Sequence, residues 1–189
     1  SHYRLLYRRI ANIVDLRSMK AAIVPPGWLV SSPFANRFPM AAPMVEQLIG
    51  LALLNSFVLD WNLRLRITNT LNLFIVESLP FANVSHARVF ISHSALRLTC
   101  NHAGYAPLWH EQLGDAWREP TPPFTWPVLE GDDTRWSVRA AIDAMVADAY
   151  GLTRDQYEHV LSTFSHKSYP KAPVLCLAAF DELKEIGLD

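Results

Sequence analysis

LLNSFVLDWNLRLRITNTLNLFIVESLPF, residues 53–81, is the stretch from which the rest of the fold is predicted. Apolar residues in its first half recur at offsets of three and four, at Leu54, Phe57, Val58 and Trp61. That spacing predicts one face of an amphipathic helix. Because proline is tolerated at a first helical position, we expect the helix to begin near Pro43 and to run to about Arg64.

The second half of this stretch predicts a loop followed by a strand. Thr68, Asn69 and Thr70 have low helix propensity and suit a polar loop. After them, over 71–75, leucine and isoleucine alternate with other residues at the period of a β-strand. Pro80 would end that strand, because proline cannot donate to a ladder.

Three parts of the sequence together resemble the target-recognition domain of DNA restriction-modification proteins. The central part has Leu-Asn-Ser at 54–56, Leu-Asn-Leu-Phe-Ile at 71–75 and Leu-Pro at 79–80. Residues 3–27 are similar to the entry to that domain, and residues 139–164 are similar to its helical C-terminal extension. The resemblance therefore spans most of the chain, although the sequence between these parts matches loosely.

The resemblance implies a piece of a large enzyme that fuses an adenine methyltransferase, often with an endonuclease, to a DNA-reading region. Its partners would then be double-stranded DNA and the methyltransferase domain of the parent chain. The chain would orient the duplex so that the target base can flip into a catalytic domain outside it. No cofactor is expected in this chain; the parent would use S-adenosylmethionine and, to cut DNA, Mg²⁺.

Composition and charge restrict the function classes. Half of the 189 residues are hydrophobic, which predicts a folded protein with a sizeable core. The net charge of −1 argues against a uniformly basic nucleic-acid binder. However, residues 1–82 have eight Lys or Arg against four Asp or Glu, a net charge of +4, whereas residues 83–189 have nine against fourteen, a net charge of −5. Unless this asymmetry arose by chance, phosphate contacts belong to the first part.

A cytoplasmic location is expected. The longest apolar run, at 49–59, is interrupted by Asn55 and Ser56 and is too short to span a bilayer. The sequence shows no signal peptide, and its two cysteines do not make a disulfide framework.

The element pattern predicts an α+β fold, with a small mixed α/β target-recognition part at 1–82 and a mostly helical extension at 83–189. In the first part we expect strands at 3–10, 19–24 and 28–30, and a loop over 31–43. In the extension, helices are expected over 84–100, 134–149, 153–164 and 173–186.

Several local signals mark the ends of these helices. Asp132 or Asp133 can cap the second helix of the extension, Gly151 can close it, and Thr153 with Gln156 forms a capping box. Residues 101–133 are rich in proline and glycine and resemble a linker. We expect the tryptophans in and just beyond this segment to anchor it to the helices, with nucleobase stacking as the alternative: Trp109, Trp117, Trp126 and Trp136.

The candidate DNA-binding residues fall into two groups. The side chains that can read base edges or reach phosphates lie at and after the end of the first helix: Arg64, Arg66, Asn69, Thr70 and Asn72. Those that could hold the DNA backbone are Arg8, Arg9, Lys20 and Arg37. The alternative is an ordinary polar surface at a helix C-terminus, where cations also complement the helix dipole.

Catalytic signatures are weak. Thr121-Pro122-Pro123-Phe124 comes close to the motif with which amino-methyltransferases hold a flipped base, but no glycine-rich donor loop precedes it, and 122–126 also fits a packing loop of the extension. The acid-x-Lys pattern at 181–184 lies in a predicted helix and suggests a solvated face. The histidines show no zinc spacing, and Cys100 is expected to be a buried, reduced thiol.

The predicted function is sequence-specific DNA recognition for a catalytic domain absent from this chain. The alternative is a protein-interaction module that docks a subunit or domain without touching DNA. A free-standing enzyme is disfavoured because no nucleophile, metal or phosphate-loop signature is visible.

Overall fold

A computed structural model of the chain describes residues 2–31, 34–36, 42–114 and 129–187, with the backbone alone for 34–36. The strands are β1 (Arg4–Arg8), β2 (Ala21–Val24) and β3 (Phe34–Asn36). The helices are α1 (Met44–Leu54), α2 (Phe57–Arg64), α3 (Leu73–Glu77), α4 (Arg88–Thr99), α5 (Ala106–Leu113), α6 (Asp132–Ala149), α7 (Arg154–Ser162) and α8 (Ala172–Ile186). A small sheet followed by mostly helical structure confirms the predicted α+β class.

The three strands form one antiparallel sheet in the order β2-β1-β3. Leu5 pairs with Ile23, and both are buried together with Tyr7 because alternate residues of a strand face the same side. That side packs on α1, whose Gln47 accepts a hydrogen bond from the Leu5 N–H through Oε1 at 3.1 Å. The sheet therefore covers one side of α1.

Helix α1 lies at the centre of the molecule. Its residues 47–54 are all buried, so it has no solvated face. The sheet covers one side and α4 packs against it as well, which is why the sequence LIGLALL at 48–54 is apolar all round.

The predicted single helix from Pro43 to Arg64 is wrong, because α1 and α2 are two helices that meet at a 64° bend. Ser56 is the N-cap of α2: its Oγ accepts from the Leu59 N–H at 3.3 Å and donates to the Leu53 carbonyl at 2.7 Å. Asn55 is the C-cap of α1. Asparagine and serine side chains compete with helical hydrogen bonds and favour caps, so the Leu-Asn-Ser sequence marks a break.

The predicted strand at 71–75 is also wrong, because this segment becomes α3, which starts after the extended N-cap residue Asn72. The residues that are buried are Leu71, Ile75, Val76 and Leu79, spaced as on a helix, while Leu73 and Phe74 are exposed. Three alternating residues were too few to separate a period of 2 from one of 3.6.

Some of the other predicted strand and helix boundaries are confirmed and some are wrong. Residues 28–30 form no strand, and β3 lies instead within the predicted loop 31–43. Gly131, not Asp132 or Asp133, is the N-cap of α6, and the two aspartates lie in the first turn, where they complement the helix dipole. The Gly151 turn (φ 68°) and the Thr153–Gln156 capping box are confirmed.

One cluster of buried side chains runs through both parts of the chain. It includes Leu5 and Leu48 from the first part and Ile91, Val146 and Phe180 from the second. Helix α6 packs on α8, on α4 and on α2, so the buried faces of the two parts are covered by each other. Trp109 is buried as predicted, and its Nε1–H donates to the Cys100 carbonyl at 2.8 Å. It lies on α5, however, so the 101–133 segment is not linker-like throughout. Trp117 and Trp126 lie outside the described residues.

Candidate functional site

The loop between α2 and α3, residues 65–72, lies against the end of β1. The Leu71 N–H donates to the Arg9 carbonyl at 2.7 Å, and the Ala11 N–H donates to the Asn69 carbonyl at 3.3 Å. Thr70 forms an isolated antiparallel bridge with Ile10. Two groups of predicted residues that are some sixty positions apart in sequence are therefore neighbours.

The side chains carried by these neighbouring segments are accessible to a ligand. Arg9, Asn69, Thr70 and Asn72 are all exposed. Asn72 is the N-cap residue of α3, yet its side chain makes no capping hydrogen bond. Its amide is therefore not used to start the helix.

Arg66 is exposed and fastens the α2–α3 loop to the end of α3. Its Nη1 donates to the Ser78 carbonyl at 2.9 Å and to Ser78 Oγ at 3.1 Å. This contact fixes the direction of the guanidinium, and the side chain remains on the surface.

Arg64 points inward. Its Nε donates to Ser18 Oγ at 3.1 Å, its Nη2 donates to the carbonyls of Asp15 and Leu16 at 2.7 and 3.2 Å, and only 13% of the side chain is exposed. The guanidinium carbon also lies 4.1 Å from the centre of the Phe164 ring. Desolvation by burial lowers the pKa of Arg64, with the Asp60 charge opposing that effect. In this structure Arg64 holds the β1–β2 connection, residues 9–20.

Asp60 completes this internal network and was missed by sequence reasoning. Its carboxylate is fully buried and accepts three hydrogen bonds, from Arg17 Nε at 2.9 Å and from the N–H groups of Ser18 and Met19 at 3.0 Å each. The Asp60–Arg64 spacing of four on a largely apolar helix is the signal that could have revealed it. Two buried groups on α2 thus fix the connection that leads from β1 to β2.

Arg8 and Lys20 are neighbours across the β1–β2 pair, where the Arg8 N–H donates to the Lys20 carbonyl at 2.9 Å. Both side chains approach Asp15 Oδ2, at 3.9 Å from Arg8 Nη2 and at 3.4 Å from Lys20 Nζ. The two predicted phosphate-binding cations therefore share one carboxylate. Arg37 lies outside the described residues.

Large apolar side chains are also exposed on the β1–β2 connection and around the α2–α3 loop. They are Ile10, Ile13, Val14, Leu65, Leu73 and Phe74, with Val14 80% exposed and Phe74 67% exposed. Several exposed apolar side chains beside a polar rim are typical of a surface that contacts another macromolecule.

The residues considered for other chemistries have the following surroundings. Burial raises the pKa of the Cys100 thiol to about 12, which fits the expected inert cysteine. Asp181 lies on α8 and accepts from Arg154 Nε at 2.9 Å. Among residues 2–31, 42–114 and 129–187, no group of three His, Cys, Asp or Glu side chains could hold a metal ion. The Pro-Pro-Phe segment at 121–126 lies outside the described residues, so its interpretations as a base-holding motif and as a packing loop both stay predictions.

Comparison with protein-family models, with characterised proteins and with solved structures gives no match. In the described part of the chain no single helix is long and apolar enough to cross a membrane, although α1 and α2 together, bent by 64°, reach that length and composition.

Proposed function

We propose that this chain is the sequence-specific DNA-recognition module of a restriction-modification DNA methyltransferase. The observation that carries the proposal is the docking of the α2–α3 loop on the end of β1, through the Leu71–Arg9 and Ala11–Asn69 hydrogen bonds. It brings an exposed cation beside exposed amide and hydroxyl side chains. That combination suits binding to double-stranded DNA, because arginine binds phosphate while asparagine and threonine read base edges.

The residues then take different roles. Asn69, Thr70 and Asn72 read bases, and Arg66 approaches a base or phosphate from its fixed position on Ser78. Arg9 holds phosphate, and Arg8 and Lys20 of the β1–β2 pair contribute to the same task. Arg37 keeps its predicted role in phosphate binding, although it lies outside the described residues. Arg64, which uses its donors on residues 15, 16 and 18, positions the β1–β2 connection instead of touching DNA.

The same proposal assigns the chemistry to the parent enzyme. The methyltransferase domain of the parent would bind S-adenosylmethionine, and an endonuclease domain would bind Mg²⁺; this chain would place the target adenine for methyl transfer. The protein would act in the cytoplasm.

The test is selection of bound duplexes from a random-sequence library by the 189-residue chain. We expect a defined site to be enriched. Asn72→Ala should then relax preference at one position, at a cost of about 1–3 kcal/mol, while Arg9→Ala should weaken all duplexes alike and lower the salt slope by about one. Arg97→Ala, which removes an exposed cation from α4, is the matched control and should change neither property.

Two results would contradict the proposal. One is the absence of any enriched sequence for the folded chain. The other is an equal effect of Arg97→Ala and Arg9→Ala, because binding would then follow overall charge and not the assembled surface.

The second candidate function is docking of a protein domain without DNA contact, and the exposed apolar side chains favour it. On that function Val14→Ser and Phe74→Ser should weaken binding to the methyltransferase domain of the parent, and the chain should bind no duplex. Titration of each variant with that domain and with duplex DNA separates the two functions.

A further inference from the structure

A cavity of about 620 Å³ opens between the β1–β2 connection and helices α1, α4 and α6. Its apolar walls come from Leu51 and Ala52 of α1 and from Ala95 and Leu98 of α4. A volume of this size falls within the range of small-molecule sites, which are concave, largely apolar and supplied with a few polar groups.

Among the charged groups of this cavity, cations outnumber carboxylates by four to two. Arg17, Lys20, Arg135 and Arg139 line it, against the carboxylates of Asp15 and Asp143. Both carboxylates already have partners within the chain: Asp15 lies 3.4 Å from Lys20 Nζ, and Asp143 Oδ1 accepts from the Phe57 N–H at 2.6 Å. The lining therefore has an excess of positive charge in a partly desolvated space.

The three guanidinium groups differ in how many of their N–H donors are hydrogen-bonded within the protein. Arg17 donates to Asp60 and to the Asn55 carbonyl, and Arg135 Nη2 donates to the Leu98 carbonyl at 2.8 Å. Arg139 makes no hydrogen bond or ion pair with any residue of the described ranges, and its Cζ lies 5.1 Å from the centre of the Trp136 ring.

The surroundings of Arg139 on balance disfavour its charge. Burial is the main cause that lowers the pKa of Arg139, the nearby charges of Arg135 and Arg17 lower it further, and the carboxylates of Asp132 and Asp143 oppose this only in part. A buried or half-buried guanidinium is usually paired with a carboxylate or phosphate that can accept its fork of N–H groups.

We propose that this cavity binds the phosphate group of a nucleotide, with Arg139 and Arg135 holding the phosphate and the apolar walls of α1 and α4 contacting the nucleoside. Bidentate hydrogen bonding by guanidinium selects phosphate over a spherical anion. The inference goes beyond the proposed function, because of the cavity cations only Lys20 belongs to the predicted DNA-binding set. The nucleotide can be free, or it can be part of a DNA chain.

The test is calorimetric titration of the 189-residue chain with inorganic pyrophosphate, AMP, adenosine and a short DNA duplex. We expect AMP and pyrophosphate to bind saturably and adenosine to bind at least about tenfold more weakly, since it lacks the charged group. Arg139→Gln should weaken AMP binding by about tenfold or more. Arg97→Gln removes a cation from α4 that does not line the cavity, and it should leave AMP binding unchanged.

The duplex separates the two sources of phosphate. If duplex displaces AMP and Arg139→Gln weakens both, the cavity takes a nucleotide of DNA; if AMP binds without being displaced, the ligand is a free nucleotide. Either result supports nucleotide binding in the cavity. Neither result depends on the α2–α3 loop, because the role of that loop is tested separately by the selection of duplexes from a random-sequence library.

Two outcomes would overturn the inference. One is no saturable binding of AMP or pyrophosphate by the native chain up to ~10 mM, a concentration at which even millimolar affinity is visible. The other is equal loss in Arg139→Gln and Arg97→Gln. If Arg139→Gln fails to fold, Arg139→Lys keeps the charge without the fork, and unchanged AMP affinity in that variant would also refute bidentate binding.

Discussion

Asp60 is the residue on which the arrangement of the β1–β2 connection most depends. A buried carboxylate that accepts three hydrogen bonds and faces two arginines stabilises the fold only while the whole set is present. Removal of one partner leaves buried charges and N–H groups unpaired, which is far more costly than the loss of a surface ion pair.

We therefore expect Asp60→Ala to lower the free energy of unfolding by about 3–5 kcal/mol. Urea denaturation measures the change, and Glu182→Ala, which removes an exposed carboxylate from α8, serves as the control. A loss below about 1 kcal/mol, the size of a surface effect, would show that the network does not hold the connection.

Asp143 gives a second prediction at this scale, in the pH dependence of stability. Burial raises its pKa from 3.8 to about 6, while the Arg17 charge and the Phe57 N–H oppose that change. The folded state thus binds the proton more tightly than the unfolded chain, so the stabilising contribution is full below about pH 4 and is lost as the pH rises to about 6.

In the Asp143→Asn variant the side chain neither gains nor loses a proton in this pH range, so its contribution to stability does not change with pH. Oδ1 of the new amide can still accept a hydrogen bond from the Phe57 N–H. The stability of the variant relative to the native protein should rise by up to about 3 kcal/mol between pH 4 and pH 7. Urea denaturation at several pH values in that window measures it, with Asp155→Asn on the surface of α7 as the control. Parallel pH profiles for the native protein and Asp143→Asn would contradict the assignment.

The roles of Asp60 and Arg64 could not be predicted from sequence, for a specific physical reason. Their spacing of four is visible in the sequence, but the same spacing occurs on solvated helix faces. Only the position of residues 15–19 over α2, more than forty residues away, decides that the guanidinium of Arg64 turns inward.

At the scale of elements, the predictions that depend only on neighbouring residues were the most accurate. The capping box of α7 and the glycine turn after α6 need only neighbouring residues, so they were correct. The type of the 71–75 segment depends on which side the core lies, since Leu71 and Ile75 are one helical turn apart as well as on one face of a strand. The contact between the α2–α3 loop and β1 is long-range and left no sequence signal.

The break between α1 and α2 also supports the sheet. The Asn55 side chain pairs with the backbone of Ala21, accepting from its N–H at 3.1 Å and donating to its carbonyl at 3.0 Å. It thereby satisfies the backbone at the start of the outer edge of β2, as a further strand would.

We expect Asn55→Ala to lower the free energy of unfolding by about 1–3 kcal/mol and to accelerate hydrogen exchange at the Ala21 amide. Denaturation and amide exchange measured by NMR test the two effects. Asn101→Ala, on the surface after α4, is the matched control. Unchanged protection of Ala21 in Asn55→Ala would show that the edge is held by other contacts.

At the scale of the whole molecule, the charge division and the packing divide the chain differently. Lys and Arg are divided almost evenly between 1–82 and 83–189, and the difference in net charge arises because most acidic residues lie in 83–189. The buried cluster nevertheless includes side chains from both parts. Charge was readable from composition, whereas the pairing of α1 with α4 and of α2 with α6 depends on three-dimensional packing.

From that shared core we predict that neither 1–82 nor 83–189 folds alone. Each fragment would expose the apolar faces that the other covers, so each should lack the dispersed amide spectrum of a folded protein, and the two together should regain it. Circular dichroism and NMR spectra of the separate and mixed fragments measure this. A folded 83–189 fragment would contradict the prediction and would allow the acidic part to be assayed for DNA binding by itself.

The bonds from Asp60 to residues 17–19 also have a kinetic consequence. They join positions 41 to 43 residues apart, so they can form only after the chain through β2, β3 and α1 has closed. The strands β1 and β2 are consecutive and can pair locally, but the final arrangement of the connection between them needs α2. We therefore expect the connection to become fixed at a late stage of folding, when this long-range contact closes.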